Sequence, residues 1–133
     1  MTDQSSTEQR STLRFEVTAD DTATALGSGD LPVLATPRLI AWCEAVCVQV
    51  LMVDEVSTSV GTRVDVEHVG ACLVGAQVTV SATVSHRDGR LIRFDVMAEL
   101  DSRETPTRLM QGTMTRVVVN RERFMDRLGT SSA

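Results

Sequence analysis

The chain has 133 residues, a length that suits one domain with one core, and 42% of them are apolar, too many for a disordered polypeptide. A formal net charge of −5 lacks the basic surplus of a domain that grips nucleic-acid phosphates, and it gives no support for docking on an anionic membrane. Aromatic residues make up only 3%, so the core must be built mainly from Val, Leu, Ile, Ala and Met.

Residues 1–11 have no hydrophobic period and read as a disordered tail. Met1 to Thr12 is polar and acidic, without the basic-then-apolar profile of a signal peptide. No stretch approaches the ~18 consecutive apolar residues of a membrane-spanning helix, so a cytoplasmic protein is expected. A folded domain is expected over 12–124, followed by a C-terminal tail at 125–133. Leu13, Phe15 and Val17 alternate with polar residues, the pattern of a half-buried strand. Asp20 to Asp30 is rich in Asp, Thr, Gly and Ala and reads as a loop with room for one helical turn.

Thr36-Pro37 is a helix-start signal, with Thr36 as N-cap and Pro37 in the first turn. Leu39 to Val53 then runs apolar nearly all round, so this helix should be covered on most sides. Glu44 is its only charged residue. From Val60 the period changes to two, with Val60, Thr62, Val64, Val66 and His68 expected on one face of a strand that Gly70 ends. Val78 to Val84 forms a second clear alternation, Asp88-Gly89 suits a hairpin turn, and Ile92 to Leu100 returns. A turn-rich SRETPT segment leads to a last strand over Arg108 to Asn120. The pattern gives an α+β domain, an antiparallel sheet of about five strands wrapped around one long central helix.

Three residues on these elements attract a chemical reading, each against a plainer one. Glu44 in an apolar helix would be costly to bury unless paired; its plainer role is a wet strip of the helix. His68 shares its strand face with valines, where a histidine is either a hydrogen-bonded core residue or an acid–base group. For Thr36 the cap suffices. Thr36 and Glu44 lie eight positions apart, about 12 Å along the axis, and could flank one substrate. Gly61 exposes backbone on the strand that carries His68, through simple turn geometry or to admit a ligand. His86 sits by the hairpin and reads as surface. Cys43, Cys47 and Cys72 are odd in number, lack zinc spacing and read as small buried hydrophobes. There is no phosphate loop, nucleophile elbow or dinucleotide fingerprint, and two histidines make a catalytic metal site a poor fit.

The segments P-V-L-A-T-P-R-L-I-A-W-C-E-A-V (32–46), V-G-T-R-V-D-V-E-H (60–68) and V-G-A-Q-V-T-V-S-A (74–82) resemble the hot-dog-fold acyl-CoA thioesterases related to fluoroacetyl-CoA thioesterase. The likeness continues through G-R-L-I-R-F-D-V (89–96) and Q-G-T-M-T-R-V-V-V (111–119). It implies a hot-dog fold, hydrolysis of an acyl-CoA to free acid and CoA, and a catalytic set of Thr36, Glu44 and His68. It also implies that Gly61 positions the thioester, that Arg116 meets the CoA phosphates, and that the chain is a homodimer with sites near the interface. Coenzyme A is then part of the substrate, and no separate cofactor or metal is expected. The family's phenylalanine lid has no counterpart, because 25–34 holds no aromatic residue, and this implies an acyl group other than fluoroacetyl. Two other activities stay open: a non-catalytic acyl-CoA-binding module on the same fold, and a hot-dog hydratase or dehydratase. The second wants an Asp and a His ahead of the central helix, where no histidine stands.

Overall fold

The computed structural model describes residues 9–102 and 104–129. Strand β1 (Arg10–Glu16) leads through a 3-10 turn (Ala19–Asp21) and a single helical turn, α1 (Ala23–Leu26), to the long helix α2 (Thr36–Leu51). Strands β2 (Ser57–His68), β3 (Gln77–Asp88), β4 (Leu91–Leu100) and β5 (Thr107–Asn120) follow, then helix α3 (Arg121–Gly129). The five strands form one antiparallel sheet in the order β1-β3-β4-β5-β2, so β1 and β2 are its edges. Among the described residues no helix is long and apolar enough to cross a membrane.

The period-2 pattern explains the core. Val78, Val80 and Ala82 of β3 and Ile92, Phe94, Val96 and Ala98 of β4 are buried on the face that meets α2. From the helix, Leu39, Trp42, Cys43, Val46, Cys47 and Val50 are buried against them, and each large side chain withdrawn from water contributes ~1.5–3 kcal/mol. Phe15 of β1 stacks on Trp42 with ring centroids 4.5 Å apart. The helix is not covered all round, however. Ala41, Ala45 and Gln49 form an exposed strip, and the two alanines make the helix look more apolar in sequence than its environment is.

Other expectations are corrected. The N-cap of α2 is Ala35, and Thr36 is already helical, with Pro37 behind it in the first turn. Helix α2 stops at Leu51, where Met52 turns left-handed with φ 51°. Arg10 and Ser11, expected in the tail, belong to β1, while residues 1–8 lie outside the described residues. At the other end α3 runs through the 124/125 boundary to Gly129. The sharpest difference lies in β2. A register shift between Gly61 and Arg63 against β5 leaves Thr62 as an extra residue. Ser59 and Gly61 therefore sit on the helix-facing side together with Val64, Val66 and His68, and Val60 sits on the opposite side beside Val117.

Candidate active site

Helix α2 enters the sheet under a clamp. The Asp21 carboxylate accepts from the Thr18 backbone N–H at 2.8 Å and the Thr18 hydroxyl at 3.0 Å, and it pairs with Arg38 Nε at 2.9 Å. The Ala35 N–H donates to the Asp21 carbonyl at 2.9 Å. This fixes the first turn of α2 and frees Thr36 from capping. Its hydroxyl instead lies 2.6 Å from His68 Nδ1 at the far end of β2. The other ring nitrogen, Nε2, is buried with no hydrogen-bond partner among the described residues, so one nitrogen is held and one is uncommitted. The Thr36 bond sets the orientation of the imidazole, which an acid–base role requires and a structural role also accommodates.

Two turns along the helix, Glu44 is half-buried and pairs with Arg116, Oε2 to Nη1 at 3.3 Å. Arg116 is only 8% exposed, and its remaining donors are used locally: Nε donates to Ser59 Oγ at 2.8 Å and Nη2 to the Ser59 carbonyl at 3.1 Å. Its guanidinium is turned inward, so the phosphate contact expected of it is not what the structure presents. Gly61 completes this group. A Cβ there would stand 2.8 Å from Glu44 Oε2 and 3.2 Å from Arg116 Nη1. A side chain there would displace the Glu44 carboxylate or the Arg116 guanidinium, which gives Gly61 a reason beyond turn geometry.

The five residues thus fall into two groups, Thr36 with His68 and Glu44 with Gly61 and Arg116. No hydrogen bond joins the two groups among the described residues. Gly61 is the fifth residue of β2 and His68 its last, about 20 Å apart at ~3.3 Å per residue, so the two groups lie at different points along the strand. His86 is exposed, as expected. Cys43 and Cys47 are fully buried, and burial, with a smaller push from negative neighbours, raises both thiols to about 12, which removes them as nucleophiles at neutral pH. Among the described residues no group of three or more His, Cys, Asp or Glu could hold a metal ion.

Sequence reasoning missed Asp21, Arg38 and Ser59. Thr18 and Asp21 stand three apart, the spacing of a capping box, and that signal could have found the clamp. Nothing local marks Ser59, whose role depends on a bulge and on a strand 57 positions away.

A family model described as fluoroacetyl-CoA-specific thioesterase matches residues 17–122. Among solved structures the chain is similar to the fluoroacetyl-CoA thioesterase FlK, with 27% identity over 90% of this chain and 91% of that one and a TM-score of 0.79. A variant of the same enzyme in complex with acetyl-CoA gives 25% identity, 93% and 96% coverage and a TM-score of 0.82. A hot-dog-like protein from Thermanaerovibrio acidaminovorans, at 21% identity, covers 93% of this chain and 90% of its own with a TM-score of 0.79, and it speaks to the hot-dog fold alone. Comparison with curated proteins gives no match.

Proposed function

The chain belongs to the fluoroacetyl-CoA-specific thioesterase family and is an acyl-CoA thioesterase, and on that premise we propose that Thr36, Glu44 and His68 are its catalytic set. The observation that carries the proposal is the 2.6 Å Thr36–His68 hydrogen bond with His68 Nε2 left uncommitted. Attack on the thioester carbonyl develops negative charge on oxygen, which the positive end of the α2 dipole favours. Glu44 acts as the base that activates water or as the nucleophile itself. His68 exchanges the proton with the departing CoA sulfur, and Thr36 holds the imidazole. Coenzyme A belongs to the substrate, and these steps need no further cofactor.

We infer that the two groups meet across a homodimer. Edge strand β2 carries unpaired backbone and half-exposed Val64 on its helix-facing side, an invitation to a second strand. Antiparallel pairing of β2 with its copy about Asp65 sets Val64 opposite Val66 of the partner subunit and Arg63 opposite Glu67 of the partner subunit. The same register brings Gly61, and Glu44 behind it, beside His68 of the partner subunit. Two equivalent sites result, as a two-fold axis requires. The three buried, unbridged thiols support action in the reducing cytoplasm.

The acyl group is aliphatic and larger than fluoroacetyl. Support comes from the aromatic-free segment 25–34 and from exposed aliphatic side chains nearby: Leu31, Val69 beside His68, and Leu73, which bridges to Val33. The test is release of free CoA across a panel from fluoroacetyl-CoA through short, branched and medium-chain acyl-CoA thioesters. Turnover is expected, with kcat/KM higher for aliphatic acyl groups than for fluoroacetyl. Tight binding of the panel with no turnover of any member would identify a binding module instead.

A further inference from the structure

Arg116 is a buried cation in the middle of a sheet, and burying a charge is tolerated only when its donors are met. Its guanidinium is a rigid planar fork, so fixing two nitrogens fixes the direction of the third. Ser59 does this alone, with its hydroxyl on Nε at 2.8 Å and its carbonyl on Nη2 at 3.1 Å. The third nitrogen, Nη1, then points at Glu44 Oε2, 3.3 Å away, in the notch left by Gly61. Ser59 itself is 7% exposed and touches no solvent-facing chemistry. It owes its inward direction to the register shift at Gly61 and Arg63, which puts Ser59 and Gly61 on the same face as His68.

We propose that Ser59 is a positioning residue for the thioesterase reaction: by orienting the Arg116 guanidinium it holds the Glu44 carboxylate at the angle from which it acts. The inference rests on Glu44 being catalytic. Ser59 does not meet the substrate, so its loss moves Glu44 without touching the acyl or CoA contacts.

The consequence is a split in the kinetics. Ser59→Ala removes the acceptor for Nε, keeps the carbonyl, and leaves the guanidinium free to rotate about the remaining contact. In the purified full chain, assayed on the best acyl-CoA of the panel, Ser59→Ala is expected to lower kcat by roughly tenfold with KM changed less than about twofold. Ser59→Thr, which keeps the hydroxyl, restores kcat. In a Glu44→Gln background the same Ser59→Ala change has no further effect, because its route to the chemistry has been removed. If Ser59→Ala fails to fold, Ser59→Cys, which keeps the shape but is a poor acceptor, takes its place in the same comparison. Equal fold-losses from the Ser59 change in the parent and in the Glu44→Gln background would overturn the inference, as would an unchanged kcat in a folded variant. A Glu44→Gln protein as active as the parent would mark the failure of the underlying catalytic assignment instead.

Discussion

Thr36 shows how one hydroxyl can satisfy two descriptions in sequence and only one in structure. The Thr-Pro pair reads as a cap followed by its first-turn proline, and a cap would explain Thr36 completely. The helix in fact starts one residue earlier, at an alanine that makes no side-chain cap bond, because the Asp21 carbonyl and carboxylate already anchor the entry. With no N–H to cap, the Thr36 hydroxyl bonds His68 instead. Thr36→Ala is therefore expected to leave the unfolding midpoint nearly unchanged, short of the ~1 kcal/mol that a lost cap costs. It should still lower kcat by roughly tenfold, since the imidazole loses its anchor while the acid–base group remains. Parallel urea titrations and steady-state assays check this; a destabilised variant with full kcat would return Thr36 to a purely structural role. Glu44 and His68 were legible in sequence as misfits, a charge in an apolar helix and an imidazole among valines. Their partners were not, since Arg116 and Ser59 are ordinary strand residues whose roles arise only from pairing.

At the scale of elements, β1 to β4 were legible by alternation, β5 by the turn-rich segment before it, and the long helix by its nearly unbroken apolar run. The edges of those elements were less legible. Parity counted from His68 backwards fails at the bulge: one extra residue, Thr62, reverses the strand, so Val60 faces away while Gly61 and Ser59 face the helix. A bulge leaves no local signature here beyond a glycine, yet it builds half of the site. Strand β2 also explains why the site is split. Gly61 lies four residues after its start and His68 at its end, and the antiparallel copy proposed above would bring the two groups together. Light scattering of the purified chain at micromolar concentration is expected to give the mass of a dimer. In the proposed dimer, Val64→Lys sets a cation against Val66 of the partner subunit and should shift the mass toward monomer and lower turnover together. A stable, fully active monomer would contradict the shared site.

For the whole molecule, the sheet on one helix was readable because a core poor in aromatics must be assembled from many aliphatic positions, and those fix the period of each element. The same core has a pH signature. The chain contains neither Lys nor Tyr, so above pH 9 its cysteines are the side chains left to titrate. Burial raises Cys43 and Cys47 from 9.0 to about 12 and pushes Cys72 upward as well. In the unfolded chain these thiols ionise near their ordinary value, while in the folded one they stay protonated. Their contribution is thus intact below about pH 9 and is lost as the pH rises from there toward 12, at a limiting slope of about 1.4 kcal/mol per pH unit for each thiol. Urea midpoints should fall steadily between pH 9 and 11, and a Cys43→Ala, Cys47→Ala double variant should show a shallower fall. A flat profile in the parent would contradict the burial of these thiols.

The proposed thioesterase chemistry turns on Glu44. Steady-state hydrolysis by Glu44→Gln, paired with its affinity for a non-hydrolysable acyl-CoA analogue, tests it most directly. The variant keeps the shape of the side chain and one acceptor oxygen for Arg116, so fold and affinity should stay near those of the parent. A kcat lower by roughly a hundredfold or more is expected, the scale of a lost general base or nucleophile. A Glu44→Gln protein that turns over acyl-CoA as fast as the parent would contradict it.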